Sequence, residues 1–477
     1  MGEADGKADL FVLGAGPGGY AAAFAAADQG LRVVLCDEEA NPGGVCLYRG
    51  CIPSKALLHA AGVVRESRRA RLLGIEFGEP TIDVGRLRQW KEGVVQRLTT
   101  GLGGLARTRR IAYLQGRAQL LDAHRARVAA SDGSSREVSF EHLILAAGSQ
   151  PLTLPELAIG SPRVADASAA LSLPDVPPRL LVVGGGYIGS EIATIYAALG
   201  SRVTLVEITS GLLPGMDRDL ARLLEAKLKG ELAELMLGTR VVDAEDTGAS
   251  VRVRLSTGAV AEYDRVLVSV GRKPNTAGLG LEHTGVRLDE RGFVQVDAER
   301  RTSDPAVFAV GDVTGAPLLA HKASREGRVA AAVIAGRKEI YGPQAVPSVV
   351  YTDPEVAWCG LSEAAATAAG RQVRSVTFPW AASGRAWTEA RAEGVTKLVV
   401  EAGSDVVLGV GIAGAGAGEL IAEGVLAVQL GVRARDLAAA IHPHPTLSET
   451  LMEAAELYYG HATHFYGLQR VGADRGR

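Results

Sequence analysis

The chain is written in short apolar runs separated by glycine turns and alanine-rich helical stretches. From Asp9, "DLFVLGAGPGGYAAAFAAADQGLRVVLCDEE" reads strand, glycine turn, helix, strand. The pattern recurs from Arg179 in "RLLVVGGGYIGSEIATIYAALGSRVTLVEIT". A third stretch, "VFAVGDVTGAPLLAHKASREGRVAAAVIAG", predicts a strand, an exposed Gly311-Asp312 and a long helix. Two further strands, in "EHLILAAGSQP" and "EYDRVLVSVGRKPN", end in small-residue turns that suit chain crossings between domains. From about Val346 proline-flanked strands give way to helices, with no glycine fingerprint. Strands alternating with helices predict an α/β protein built on parallel sheets.

The two repeated units carry specific chemistry. Gly14, Gly16 and Gly19 satisfy G-x-G-x-x-G, and Asp37 closes the next strand 18 residues beyond Gly19. The first glycine permits a tight turn, the second lets backbone approach a pyrophosphate, and the third lets helix pack on strand. The helix amino end then faces the anion, and the acid is placed to accept from ribose hydroxyls. Gly184, Gly186 and Gly189 repeat the motif, with Glu207 again 18 residues on. Two fingerprints imply two dinucleotides. Glu207, with no arginine in the following "ITSGLLPGM", favours a free 2′-hydroxyl and hence NAD over NADP. "GLGGLA" (Gly101 to Ala106) and "AGAGAGEL" (Ala413 to Leu420) lack this context and read as packing or connecting glycines.

Length and composition narrow the class. A chain of 477 residues accommodates about three domains. A net charge of -3 offers nothing for nucleic acid or an anionic membrane, and neither is expected as a partner. No apolar run approaches the ~20 residues of a spanning helix. The first residues do not read as a signal peptide, so a cytoplasmic protein is expected. Four cysteines are too few for a disulfide scaffold. No second pair or histidine cluster completes a tetrahedral set, so no metal is expected.

Half of that cysteine lies in "GGVCLYRGCIPSK". In an ideal helix, residues five apart point ~140° away from each other and sit ~7.5 Å apart along the axis. A disulfide wants Cα atoms within ~7 Å. A Cys46–Cys51 bridge therefore requires a distorted turn, for which Gly50 and Pro53 are suited. "SKALLHAAGVV" then resumes a helical pattern. The thiols thus lie near a helix N-terminus and Lys55, both of which favour thiolate. This is the setting of a redox disulfide that opens and closes in turnover.

Taken in order, "GAGPGG", "GGVCLYRGCIPSK", "GGGYIGSE", "VGRKPN", "VFAVGDVTG…LAHKA" and "HPHPTLSE" resemble the flavin-dependent pyridine nucleotide–disulfide oxidoreductases, over nearly the whole chain. Within that family the likeness is strongest to the members that oxidise dihydrolipoamide. The resemblance implies two Rossmann-like dinucleotide-binding domains, for FAD and NAD, plus a C-terminal α+β dimerisation domain. Residues 1–150 and 275–345 would form a discontinuous FAD domain, 151–274 the NAD domain and 346–477 the dimerisation domain. It implies FAD on Gly14, Gly16, Gly19, Asp37, Lys55, Gly148, Gly311, Asp312 and Ala320, with Asp312 on the ribitol. NAD would lie on Gly184, Gly186, Gly189, Glu191, Glu207 and Gly271, and Lys55 with Glu191 would stand beside the flavin N5 and nicotinamide. By the same carry-over Cys51 faces the flavin and Cys46 exchanges with substrate. The implied partners are a second copy of the chain and dihydrolipoamide, free or on a lipoyl-bearing protein. The lipoyl protein would belong to a 2-oxo-acid dehydrogenase core or a glycine-cleavage system.

"IHPHPTLSET" has a local reading of its own. Thr446 to Glu449 fits a capping box opening the helix "LSETLMEAAELYY". The cap accounts for Glu449 but leaves His444 unused. The resemblance makes His444 the general base and Glu449 the group that orients it, and an imidazole pKa near ~6.5 suits taking a proton from a thiol. His442 reads as a neighbour. Rival readings are a glutathione-type reductase, which Glu207 opposes, and a mercuric-type reductase, which needs further C-terminal cysteines. A transhydrogenase without the dithiol and a redox-silent docking subunit are the others. Tyr48 departs from the asparagine usual between the cysteines, and its bulk is expected to bear on the substrate channel or flavin edge. Ala147 replaces a frequent threonine.

Overall fold

The computed structural model describes residues 7–466. The outer ends of the first and last expected domains, residues 1–6 and 467–477, lie outside the described residues. The strand Ala8–Leu13 is apolar throughout its inner positions and pairs in parallel with Val33–Asp37 on one side and Ser135–Leu145 on the other. Ala112–Gln115 extends the sheet beyond Val33–Asp37, and Val307–Ala309 extends it beyond Ser135–Leu145. The chain thus returns to its first sheet some 160 residues after leaving it, at a strand that immediately precedes Gly311. The early half of Ser135–Leu145 instead forms an antiparallel ribbon with Arg117–Asp122 and Arg125–Ala129.

The alanine-rich sequences have a packing reason. Helix Pro17–Asp28 lies against helix Ala320–Ile334, with Ala22, Ala23, Ala26, Ala330 and Ala331 fully buried between them and the sheet. Small side chains let two helices approach closely over one sheet face.

The second unit repeats the first. Glu234–Leu237, Arg202–Glu207, Arg179–Val183, Arg265–Val268 and Val164–Asp166 form a parallel sheet in that order. Helix Tyr187–Leu199 follows its glycine turn. The two crossings predicted between units run side by side: Ser149–Pro151 pairs antiparallel with Arg272–Pro274. Beyond Ser348 the sheet is antiparallel, in the order Ser348–Val350, Glu355–Gly360, Val407–Gly414, Val395–Glu401, Val373–Pro379. Helices Ala417–Leu430, Ala434–Ala439 and Glu449–Tyr459 accompany it.

One core joins the units. Leu57 and Leu58, from the helix that follows the cysteines, bury with Leu171, Leu173, Ile192 and Ile195 of the second unit and with Val350 and Val356 of the third. Burial of Leu57 alone is worth about 2 kcal/mol. No helix among the described residues is long and apolar enough to cross a membrane.

Candidate active site

The glycine turns have the geometry their spacing predicts. Gly14 adopts φ +99°, and a Cβ there would stand 2.3 Å from the Ala146 carbonyl oxygen. A Cβ on Gly19 would stand 1.8 Å from the Gly14 oxygen, so the helix start presses on the turn. The second unit is equivalent, with Gly184 at φ +109° and a Gly189 Cβ 1.9 Å from the Gly184 oxygen. The middle glycines differ in kind. A Cβ on Gly16 would meet only the Gly44 Cα, at 4.0 Å, and one on Gly186 nothing within 4 Å. Both helix amino ends therefore present bare backbone with no side chain over it, a cradle that fits a pyrophosphate.

The two acids are engaged first by their own loops. Asp37 Oδ2 accepts from the Ala15 N–H at 2.6 Å and Oδ1 from the Glu39 N–H at 3.0 Å. Glu207 Oε2 accepts from the Gly185 N–H at 2.6 Å, and Oε1 from the Thr209 N–H and hydroxyl at 2.8 Å. Each carboxylate locks the phosphate turn to the strand that follows. The lone pairs left over are what a ribose would use.

The cysteines lie on two successive helices, Gly44–Arg49 and Cys51–Arg69, broken at Gly50. A side chain at Gly50 would crowd the Val45 carbonyl oxygen at 3.0 Å. Pro53 falls in the first turn of the second helix, where its missing N–H costs nothing. The helix begins at Cys51 itself, earlier than "SKALLHAAGVV" suggests. Cys46 and Cys51 are unbridged. The pair is asymmetric. The hydrogen bond from Cys46, reinforced by Lys55, draws Cys51 down to about 7 against desolvation. Donating that bond and being buried push Cys46 up. The thiolate belongs to Cys51.

Lys55, one turn along the same helix, places Nζ 2.9 Å from both oxygens of Glu191 and 4.5 Å over the Tyr351 ring. Glu191 comes from the second unit and is 4% exposed. It also accepts from Ser54 Oγ at 2.7 Å and from the Tyr351 N–H at 3.1 Å. Groups from all three units meet at this carboxylate. Gly311 sits at φ +79° and gives its N–H to Glu326 Oε2 at 2.7 Å. Asp312 accepts from the Ser149 hydroxyl, which in turn accepts from Arg272 Nε at 2.7 Å. Gly148 and Gly271, at φ +72° and +130°, turn the chain at the two ends of this ribbon, and Ala320 opens the helix behind it. Arg272, Ser149, Glu326 and Tyr351 were not singled out from sequence, because each acts on a residue far away along the chain.

His444 lies elsewhere. Its Nδ1 is 2.9 Å from Glu449 Oε1, and the imidazole side chain is 71% exposed. Within one chain the cysteines meet each other and Lys55, while His444 meets Glu449. Burial works against the Glu449 charge, but the Thr446 N–H and His444 hold its pKa below the usual carboxylate range. The expected capping box is half formed. Glu449 Oε2 accepts the Thr446 N–H at 2.7 Å, whereas the Thr446 hydroxyl turns to the Pro443 carbonyl at 2.7 Å. The helix consequently starts at Glu449, two residues later than expected. His442 pairs with Glu423 at 2.8 Å and the Ala440 carbonyl at 2.9 Å.

Tyr48 points at the loop after Asp37. Its hydroxyl donates to the Asn41 carbonyl at 3.1 Å and accepts the Asn41 N–H at 3.3 Å, and Arg49 pairs with Glu39 at 2.6 Å.

Two glycine cradles, a thiol pair and an ionic junction between them define a protein class. Residues 8–327 match the model of the pyridine nucleotide-disulphide oxidoreductases, and residues 346–455 match the dimerisation domain of the same family. The chain belongs to that family: it is a flavoprotein disulfide oxidoreductase that works with FAD and NAD, and its dimerisation domain marks it as a homodimer. Among named relatives, the dihydrolipoyl dehydrogenase of Vibrio cholerae is 45% identical over 96% of this chain and 97% of its own. That of Thermus scotoductus is 46% identical over 96% and 98%. LpdA from Mycobacterium tuberculosis superposes with a TM-score of 0.88 at 29% identity, covering 94% of this chain and 99% of its own. The HOCl-induced flavoprotein disulfide reductase RclA from Escherichia coli gives 0.84 at 28%, covering 94% and 99%.

Proposed function

We propose that the protein oxidises dihydrolipoamide, free or on a lipoyl-bearing protein, to lipoamide with NAD as acceptor. In this reading it is the flavoprotein component of a 2-oxo-acid dehydrogenase or glycine-cleavage complex. Its proposed setting is the cytoplasm, where four free cysteines suit a reducing milieu. The observation that carries the reading is the asymmetric thiol pair abutting the Lys55–Glu191 junction.

With the pair oxidised, a substrate thiolate attacks Cys46 Sγ. The S–S bond breaks and its electron pair leaves on Cys51, the sulfur whose setting favours thiolate. The second substrate thiol then displaces Cys46 from the mixed disulfide, closing the lipoamide ring and leaving Cys46 as a thiol. His444 of the partner subunit takes the proton from the attacking thiol, since among the described residues its hydrogen-bond partner within the chain is Glu449. Glu449 holds His444 Nδ1 and leaves Nε2 free to act. A bound FAD would supply the two-electron chemistry that links the dithiol to NAD, while the chain's own residues hold the thiols and the proton. The first cradle, with Lys55, Gly148, Gly311, Asp312 and Ala320, would hold FAD. The second, with Glu191, Glu207 and Gly271, would hold NAD. The Lys55–Glu191 pair stands between them.

Anaerobic titration of the yellow protein tests this. NADH is expected to produce a long-wavelength thiolate–flavin absorbance, and dihydrolipoamide is expected to reduce NAD. Bleaching of the flavin without that band, or no NAD reduction by dihydrolipoamide, would remove the cysteine pair from the reaction.

A further inference from the structure

The helix Val84–Thr108 carries two cations that the relay does not use. Lys91 is 4% exposed, yet its nearest carboxylate, Glu92, stands 3.9 Å away and is itself mostly in solvent. Desolvation holds its pKa below the ordinary lysine range. A lysine in such a place is costly unless its donors are used. Lys91 Nζ donates to the Leu171 carbonyl at 3.0 Å and the Ser172 carbonyl at 3.1 Å. Arg88, one turn earlier, donates through Nε to the Leu173 carbonyl at 2.9 Å and through Nη2 to the Pro174 carbonyl at 2.7 Å. Four consecutive carbonyls thus each receive a cationic donor.

Those carbonyls end the helix Ala167–Ser172, which follows strand Val164–Asp166 of the second sheet. Cations at a helix C-terminus complement its dipole. The end they cap is also strained: Leu173 is fully buried at φ +57°, a left-handed conformation unfavourable for a leucine. The cations come from the other unit. Helix Val84–Thr108 packs on the redox helix Cys51–Arg69, and Leu87, Leu57, Leu58, Leu171 and Leu173 share one core. Beside that shared core, the polar ties from the first unit to the second lie at two separate places, Ser54 and Lys55 on Glu191 and the Arg88–Lys91 cap. Charged contacts at two separated places add directional constraint to a core that is itself non-directional.

We propose that Arg88 and Lys91 are positioning residues for the pyridine-nucleotide half of the reaction, clamping the second fingerprint unit in register with the redox helix. The proposal rests on the dithiol–flavin–NAD reading above. The dihydrolipoamide half, which uses the cysteines with His444 and Glu449 and touches nothing at the Leu171–Pro174 helix end, should not depend on them.

The test separates the two halves in the holoenzyme. In Lys91→Met, reduction of the bound flavin by NADH in rapid mixing is expected to slow about tenfold, the scale of one lost charge-assisted hydrogen bond. Reduction by dihydrolipoamide is expected to stay within about twofold of the parent, since no lost hydrogen bond of that size touches the dithiol. Amide exchange over Ala169–Leu173 is expected to quicken by about tenfold, reporting the loosened cap without reference to activity. Lys91→Arg is expected to restore both. If Lys91→Met does not fold, Arg88→Gln is read in the same way. Equal slowing of both half-reactions would mean general damage and overturn the proposal, as would faster exchange with an unchanged NADH half. Wild-type protein that runs neither half-reaction would instead overturn the functional reading.

Discussion

The two glycine-fingerprint units are near copies in backbone and opposites in surroundings. A Cβ on Gly14 or on Gly184 would stand 2.3 Å from a carbonyl oxygen just past the neighbouring strand, and both acids fold back on their own turns. At the first turn, however, the redox segment closes over the loop: the Gly43 N–H donates to the Ala15 carbonyl at 2.8 Å, and Gly44 stands against Gly16. At the second, Gly186 faces open space and Tyr187 and Ile188 stand exposed at the helix start. The difference teaches that the module specifies a dinucleotide and the packing around it specifies residence. An enclosed turn suits a cofactor that stays, and an open one suits a cofactor that exchanges, in keeping with the proposed flavin and nicotinamide sites.

The largest effects should come from breaking each module separately. A Cβ at Gly19 or Gly189 would overlap a backbone oxygen that cannot retreat. Gly19→Ala is expected to abolish flavin retention after purification. Gly189→Ala is expected to keep its yellow colour and lose about 100-fold or more in NAD-linked turnover, the scale of several kcal/mol of lost binding geometry. Loss of flavin from both variants would show that the modules are not independent.

An intermediate effect sharpens the comparison at the thiolate, where the two units act with opposite signs. Lys55, from the first unit, lowers the Cys51 pKa, and Glu191, from the second, raises it. The thiolate forms as pH rises through about 7, so long-wavelength absorbance of the reduced enzyme should rise through that pH. Lys55→Met should move the midpoint to higher pH and Glu191→Gln to lower pH. Shifts in one direction for both variants would contradict the arrangement.

The smallest effects concern the loops behind the acids. Tyr48 pins the loop after Asp37, and Thr209 pins the loop after Glu207. Tyr48→Phe and Thr209→Val should each cost about 1 kcal/mol of stability by thermal or denaturant unfolding. Only Tyr48→Phe should also weaken flavin retention. An unchanged flavin affinity would detach Tyr48 from the first site and return attention to its bulk near substrate.

Legibility followed the range of the interaction. The turn glycines, the terminal acids and the helix break at Gly50 are demands of local backbone geometry, so spacing reveals them. Within "GLGGLA" the glycines differ: a Cβ on Gly103 would stand 2.0 Å from the Asn41 Oδ1, whereas one on Gly101 would meet nothing within 4 Å. The half-formed box at Thr446 shows how a local rule yields when a nearer acceptor, the Pro443 carbonyl, takes the hydroxyl. Ser149, Arg272 and Glu326 behind Asp312, and Arg88 and Lys91 on the helix end at Leu171–Pro174, have no period to betray them. Their partners are brought near only by the pairing of the crossing strands and by the shared core.

By itself the sequence determined two dinucleotide modules and a thiol pair on a broken helix, because each needs particular backbone angles within a few residues. The family resemblance added their order of use. Only the tertiary structure decided that Glu191 is the carboxylate where the three units meet, that Cys51 rather than Cys46 carries the negative charge, and that one fingerprint is covered and the other open. Those outcomes depend on burial, on the turn that brings Cys46 against Cys51, and, at Glu191, on contacts between residues more than a hundred positions apart, none of which a linear pattern encodes.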